Sequence, residues 1–277
     1  MKDVLPSFLL PKELFHLSFC SKYIYQLFSD PLIWRRVLLD LFPSLDKHLE
    51  AIENKRKFTR SMSSIFFAMC HMENQWFKDT KVCVKVASTD NLYLEDGFIC
   101  QLVNGFFSEQ YDSPMPQPHN KKIELSCKRQ IKCIIESVFY QSFSFDFMGL
   151  DNCAFIYLCV FTRNNMGQDQ KSRMDNCFYH FSKYVEYIER HERNVHFTVA
   201  VYWIEYIESE VKQQELKFMR TYVKEQLNIN PPIVECSLRI HNNVKTAVRI
   251  AIESMPLFDY ETAFESLVKS KKHCVCM

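Results

Sequence analysis

The chain contains little glycine, and this scarcity limits its chemistry. Only 4 of its 277 residues are Gly, at positions 97, 105, 149 and 167. Loops that bind phosphate groups need glycine because their backbone N–H groups must close on the anion. None of the four glycines lies where such a loop would need it, so the sequence predicts no working phosphate loop.

Other absences exclude further classes of protein. The 34 Lys and Arg residues nearly balance the 33 Asp and Glu residues, so no broad basic field attracts nucleic acid. The 12 Cys residues form no C-x-x-C pair and no Cys/His set with zinc spacing, which favours free thiols in a reducing compartment and no metal site. No signal peptide and no apolar run of the ~20 residues that span a bilayer is present. We therefore expect a cytoplasmic protein.

Strands and helices alternate from residue 81 onward. Buried strands of a parallel sheet read as continuous apolar runs. The predicted strands are residues 82–88, 123–127, 131–138, 155–161, 195–204 and 233–236. The predicted helices are residues 98–106, 171–190, 211–227 and 243–255, with a last amphipathic helix at 260–270. The pattern predicts an α/β domain with a mostly parallel six-stranded sheet whose second and third strands form an antiparallel hairpin.

Residues 101–112 carry a family resemblance. They read Gln-Leu-Val-Asn-Gly-Phe-Phe-Ser-Glu-Gln-Tyr-Asp and resemble the end of the first helix and the start of switch I in Ras-type small GTPases. Counting back places the phosphate loop of this family, G-x-x-x-x-G-K-[ST], on residues 89–96. Thr89 and Leu94 then stand at the glycine positions. Glu95 replaces the lysine that neutralises the phosphates, and Asp96 replaces the hydroxyl residue that binds magnesium.

This replacement reverses the charge at the phosphate site. At an effective dielectric constant of ~20, a like charge at ~4 Å costs roughly 4 kcal/mol. The resemblance therefore implies a Ras-like P-loop-type fold without GTP and without a cofactor, that is, a pseudo-GTPase. We expect Glu95 and Asp96 to belong to a surface with another use. An unrelated α/β domain is the alternative interpretation.

Later motifs of the family are altered as well. Pro114 stands at the switch I position of the magnesium-binding Thr, and Leu150 stands at the position of the catalytic Gln. The guanine-selecting N-K-x-D motif is replaced by the segment from Trp203 to Tyr206, and a tyrosine cannot accept the two hydrogen bonds that the Asp accepts. The last motif, E-T-S-A-K, is echoed as Glu-Cys-Ser-Leu-Arg at residues 235–239. We predict no catalytic residue.

The N-terminal residues 8–36 predict a small helical hairpin, since Leu14 and Leu17 have helical spacing and Asp-Pro at 30–31 marks a turn. The run also resembles the second half of an F-box, from its Leu-Pro through an acidic-Leu pair to Asp-Pro-x-x-Trp-Arg. F-box segments bind the Skp adaptor of a cullin ubiquitin ligase, so the resemblance implies adaptor contacts by Leu10, Pro11, Leu14, Leu17 and Trp34. The family's first helix should precede residue 8, which makes the F-box partial. A helical cap without an adaptor is the other interpretation.

The expected organisation is a partial F-box-like region at residues 1–40, a helical connector at 41–80, the degenerate Ras-like domain at 81–256 and a tail at 257–277. The chain ends Cys-Val-Cys-Met, which matches the signature for farnesylation of Cys274. Three nearby lysines add about 1 kcal/mol each against an anionic leaflet. The sequence thus predicts reversible membrane association through this terminus.

Together these patterns predict a non-catalytic interaction protein. The expected function is a substrate receptor of a Skp–cullin ubiquitin ligase that binds its protein target through a nucleotide-free Ras-like domain. The alternative is a prenylated pseudo-GTPase scaffold or signalling regulator without a ligase role, with its binding surfaces on the hairpin at 123–138 and the Pro-rich loop at 113–118. The two interpretations share the domain and differ in the partner of the N-terminal region.

Overall fold

The structure, a computed structural model, describes residues 35–39, 45, 62–89, 94–105, 118–138, 153–162, 166–191, 194–204, 206–238 and 243–269. The chain divides into two units, Phe77–Leu257 and the residues on either side of that range, and each is described by itself. Several positions that the sequence singled out lie outside the described residues: Leu10, Pro11, Leu14, Leu17, Trp34, Pro114, Leu150 and Cys274.

Helices and strands alternate along the described part of the chain, apart from three strands that follow one another and the last two helices. In chain order they are α1 (Met62–Asp79), β1 (Lys81–Ser88), α2 (Leu94–Asn104), β2 (His119–Glu124), β3 (Gln130–Ser137), β4 (Cys153–Phe161), α3 (Gln170–Arg190), β5 (Val195–Trp203), α4 (Ser209–Gln226), β6 (Ile233–Cys236), α5 (Val244–Glu253) and α6 (Tyr260–Lys269). No helix of the described part of the chain is both long and apolar enough to cross a membrane.

The larger unit is built on one six-stranded sheet with the strand order β2-β3-β1-β4-β5-β6. β2 pairs with β3 in antiparallel orientation, and the four other pairings are parallel. The predicted α/β class and the mostly parallel six-stranded sheet are therefore confirmed. Parallel neighbours need a crossover connection, which is why helices alternate with the strands after β1.

Helices cover both faces of the central strands. All nine residues of β4 are buried, which explains why this strand reads as an unbroken apolar run. Phe155 and Tyr157 of β4 pack with Phe181 and Tyr184 of α3, in a cluster that also includes Met219 of α4. On the opposite face α5 contacts β4, β5 and α2 through its own buried residues, among them Ala247 and Ala251.

α3 and α4 are joined by a buried ion pair. Arg173 donates to Glu215 through Nη2 at 2.5 Å and through Nε at 3.2 Å, and both side chains are about as buried as the apolar core. The guanidinium also donates to the main-chain oxygens of Met166 and Gln168. Buried charges need such complete pairing because an isolated charge in the interior is very costly. The pair fixes the loop before α3 to the helix that follows β5.

The two largest differences from the sequence prediction are at the starts of β2 and α2. The predicted strand at 123–127 begins earlier, at His119, and residues 125–129 form the turn, with Lys128 at φ 62°. β2 lies at the sheet edge, so its polar residues face solvent and do not read as an apolar run. The predicted helix at 98–106 also begins earlier, at Leu94, and ends before Gly105, whose φ of 80° suits a helix C-terminus.

The second unit contains most of α1 together with α6. The hydroxyl of Tyr260 donates to Oε1 of Glu73 at 2.5 Å, and Glu73 is only 7% exposed. The rings of Trp76 and Phe258 meet edge to face with centroids 6.3 Å apart. A polar bond and an aromatic contact thus hold α6 against α1.

Candidate functional site

The sheet has a topological switch point between β1 and β4. The chain leaves β1 toward α2 on one face and leaves β4 toward α3 on the other, so the two connections diverge there. In open α/β sheets ligands bind in the crevice that this divergence opens beyond the carboxyl ends of the strands. We call this place the carboxyl-end crevice and define it by Ser88, Thr89, Glu95, Phe161 and Trp203.

Thr89 lies at the base of the carboxyl-end crevice, directly after β1. Its backbone N–H donates to the carbonyl of Leu158 at 3.1 Å, and its Oγ1 accepts from the N–H of Val160 at 3.3 Å. Thr89 therefore extends the pairing of β1 with β4 by one residue. The backbone N–H and the hydroxyl oxygen of Thr89 thus both make hydrogen bonds within the sheet.

Glu95 and Asp96 occupy the first turn of α2, and both are buried, at 5% and 0% exposure. The expectation that they form part of a surface is wrong. The N-terminus of a helix carries a partial positive charge, which favours carboxylates in the first turn. Glu95 also accepts a hydrogen bond from the hydroxyl of Ser88. The chain's own acids therefore occupy the helix start that a bound phosphate would occupy in a nucleotide-binding fold.

Leu94 begins the same helix and is also buried, at 8% exposure. In the Ras-like pattern this position is the second glycine, where the backbone approaches the phosphates without an intervening side chain. A leucine side chain that packs into the core excludes that approach. The four phosphate-loop positions lie at the end of β1 and in the first turn of α2, where Leu94, Glu95 and Asp96 are all buried.

The predicted base-recognition position Trp203 lies at the end of β5 and is also enclosed. Its ring stacks on Phe161 with centroids 4.6 Å apart and an interplanar angle of 30°. The ammonium of Lys212 lies 5.6 Å from the centroid of the Trp203 ring and forms an ion pair with Glu235 at 3.0 Å. Cation–π contacts of this kind hold an aromatic ring in one position.

The other predicted base-recognition position, Tyr206, is 92% exposed. Leu238, in the echo of the last GTPase motif, is fully buried. The structure therefore separates the two predicted base-recognition residues. It buries one in the wall of the crevice and leaves the other in solvent.

A second polar pair lies along β1. Lys85 forms an ion pair with Glu136 across the parallel register of β1 and β3. Burial, the largest single cause, lowers the pKa of Lys85, but the hydrogen bond that its ammonium donates to Glu136 and the neighbouring charges together outweigh burial, so the pKa is raised. Burial raises the pKa of the neighbouring Cys133 thiol to about 12. The positive charge of Lys85 is thus paired within the sheet, and the Cys133 thiol is a neutral group of the core.

Sequence reasoning missed the partners that close the carboxyl-end crevice. Ser88 is a hydroxyl residue at the end of a strand, seven residues before the carboxylate that it binds. Lys212 lies on α4, and only the fold brings it to Trp203. Within the described residues no group of His, Cys, Asp and Glu side chains could hold a metal ion.

The fold thus defines a class: an α/β protein with a six-stranded mixed sheet, mostly parallel, and with the buried acids of α2 beside its switch point. Comparison of the sequence with protein-family models and with curated proteins finds no match.

Proposed function

We propose that this chain is a non-catalytic interaction protein whose larger unit is a nucleotide-free domain of the Ras-like type. The observation that carries the proposal is the burial of Glu95 and Asp96 at the start of α2. Two carboxylates of the chain itself lie at the helix start that would face a nucleotide's phosphates in a domain of this type, which supports the proposal. The order of elements from β1 to α5 agrees with the order that the family resemblance implies, which supports the same interpretation.

The proposal extends to the N-terminal region. Through the F-box-like pattern of residues 8–36, the chain acts as a substrate receptor of a Skp–cullin ubiquitin ligase and presents a protein bound to its larger unit. Receptors of this kind need a rigid binding domain and no catalytic group of their own. The closed crevice and the fully packed β4 strand supply such a domain.

The nucleotide half is tested by adding fluorescent GTP and magnesium to the purified full-length chain. We expect no saturable change in fluorescence anisotropy and no change in melting temperature, because the N–H of Thr89 and the start of α2 are already engaged. Any ligand that binds the native state alone would raise the melting temperature. A magnesium-dependent rise would contradict the proposal.

The ligase half is tested by affinity purification from cells. The full-length chain is compared with a variant carrying Leu14→Asp and Leu17→Asp, and with a control in which the same charges enter at exposed positions of α4, as Lys217→Asp and Arg220→Asp. We expect the native chain and the control to recover a Skp adaptor and a cullin, and the N-terminal variant to lose both. If none of the three recovers the adaptor, the ligase role is wrong while the nucleotide result stands.

A further inference from the structure

A groove of about 590 Å³ lies between the edge strand β2, its turn into β3, and the first half of α5. Its described lining contains five cationic side chains and one acidic one, Glu124. The cationic residues are Lys121, Lys122, Lys128, Lys245 and Arg249. We call this the basic groove. Since the whole chain has a net charge of only +1, the groove concentrates cations that the composition does not lead one to expect.

Two of these cations are only weakly neutralised by the contacts that they make within the fold. Lys121 donates to the carbonyl of Val103 at 3.0 Å, which orients the ammonium and leaves its charge in place. Lys128 approaches Glu124 only at 3.9 Å, in a pair that is largely exposed. Exposed pairs of this kind contribute little. An anion that enters the groove would therefore meet several cations at once.

Lys245 lies in the first turn of α5, which contains no acidic residue. A cation near a helix N-terminus is unfavourable, because the backbone there already carries a partial positive charge. The N-cap residue Asn243 makes no side-chain capping bond and donates instead to the carbonyl of Glu235 at 3.0 Å. The partial positive charge of the helix start and the ammonium of Lys245 thus both favour the binding of an anion. Residues that go against the preferences of a helix start, as Lys245 does, are typical of functional sites.

Arg249 lies one turn further along α5 and lines the same groove. Its Nε is buried and finds no acceptor among the described residues. A guanidinium presents Nε and a terminal nitrogen as a fork that fits the two oxygens of a carboxylate. The guanidinium thus adds to the groove lining a positive charge whose Nε has no acceptor among the described residues.

We propose that the basic groove binds an acidic segment of a partner protein, with Asp or Glu carboxylates on Arg249 and Lys245. The lining strand residues 121–124 extend over roughly 10 Å, which suits a few residues of extended peptide. No aromatic side chain is among the described lining residues, so the stacking platform that single-stranded nucleic acids use is lacking there. A bilayer surface reaches protruding cations more readily than a recessed guanidinium. This inference rests on the groove itself and does not require the ligase role.

The test uses the purified full-length chain and a short fluorescein-labelled peptide of alternating Glu and Ser, with a Gln and Ser peptide of the same length as its control. Fluorescence anisotropy at low salt should show saturable binding of the acidic peptide only. Raising the salt should weaken it, since the contacts are electrostatic and near the surface. Absence of saturable binding, or equal binding of both peptides, would overturn the proposal.

Matched variants locate the site. Lys245→Gln with Arg249→Gln should weaken binding by about tenfold. Lys217→Gln with Arg220→Gln removes the same two charges from exposed positions of α4 and should weaken it by less than about twofold. Melting curves show that each variant is folded, and Lys245→Gln alone replaces the double variant if that one is not. Equal losses of affinity in the two double variants would show that binding depends only on the overall positive charge, and would overturn the proposed site.

Vesicles and nucleic acid are the competing ligands. Phosphatidylcholine vesicles with about a third of phosphatidylserine, and a single-stranded oligonucleotide, are assayed with the same variants. We expect neither to bind with a dependence on Lys245 and Arg249. If either ligand binds in this way and the acidic peptide does not, the partner is a membrane or a nucleic acid and the proposal is wrong.

Discussion

The starts of α2 and α5 face their surroundings with opposite charge. α2 carries Glu95 and Asp96 in its first turn, both buried, and its partial positive charge is neutralised within the chain. α5 has no acid in its first turn and places Lys245 there, exposed, at the basic groove. The fold thus buries two acids at the helix start beside the switch point and places a cluster of cations at the sheet edge. The predictions below test whether the first site is structural and the second is free to bind.

The largest effect is expected in the wall of the carboxyl-end crevice. Trp203→Ala removes a ring that is 7% exposed and stacked on Phe161, and should lower the free energy of unfolding by about 3–5 kcal/mol. Tyr206→Ala, at the other base-recognition position, should change it by less than about 0.5 kcal/mol because that side chain is 92% exposed. Urea denaturation measures both. Similar losses in the two variants would show that the wall is not closed as described.

The next effect concerns the acid at the start of α2. Glu95→Lys, which restores the charge of a phosphate-binding lysine, should destabilise the protein by about 3 kcal/mol, because it buries an unpaired cation and leaves Ser88 without its acceptor. Glu210→Lys makes the same change in the first turn of α4, where the side chain is exposed, and should cost less than about 1 kcal/mol. Thermal and urea denaturation separate the two. A stable Glu95→Lys that binds GTP would contradict the closed crevice.

A smaller effect is expected for ion pairs on the β-hairpin side of the sheet. Glu136→Gln leaves Lys85, which is 8% exposed, without its anion and should cost about 1–2 kcal/mol at neutral pH. Glu124→Gln removes the exposed partner of Lys128 in the basic groove and should cost less than about 0.5 kcal/mol. Urea denaturation of each variant against the native chain gives the two values. Equal losses of stability in the two variants would contradict the distinction between a charge that is paired within the sheet and an exposed charge in the basic groove.

The same pair has a pH dependence whose sign follows from Lys85. Its pKa is raised in the folded protein, so its contribution is complete below the unfolded value of about 10.4 and is lost as the pH rises through the folded value. The native chain should therefore lose more stability between neutral and strongly alkaline pH than Glu136→Gln does. Urea denaturation of both proteins across this range checks the sign.

The sequence predicted those parts of the fold that short-range patterns determine. β4 is an unbroken apolar run because helices cover both its faces, and β6 was predicted with its observed bounds. The start of β2 was missed because an edge strand alternates polar and buried residues, and His119–Lys122 reads as a loop. The frame placed residues 89–96 between the first strand and the first helix of the domain, where β1 ends at Ser88 and α2 begins at Leu94. It could not show that Glu95 is buried, since this depends on Ser88 and on the packing of α2.

The basic groove could not be predicted for a related reason. Lys121 and Arg249 lie in distant parts of the chain, and neither is part of a charge run. Only the position of α5 beside β2 brings them together. A Lys at the second position of a helix was a readable signal, because first turns favour acids. This lysine indicates an anion-binding site only together with Arg249 and the edge strand opposite it.

The smallest expected effect is on the stability of the groove itself. Lys245→Gln should raise the free energy of unfolding at low salt by a few tenths of a kcal/mol, roughly 0.3, because it removes a cation from a helix start and from a cluster of cations. The gain should disappear at about 1 M salt, where the Debye length falls to about 3 Å. Lys217→Gln on α4 should show no such gain. Residues of a binding site commonly lower the stability of the folded protein. If Lys245 had a structural role, Lys245→Gln would instead be destabilising, as the substitutions in the carboxyl-end crevice are.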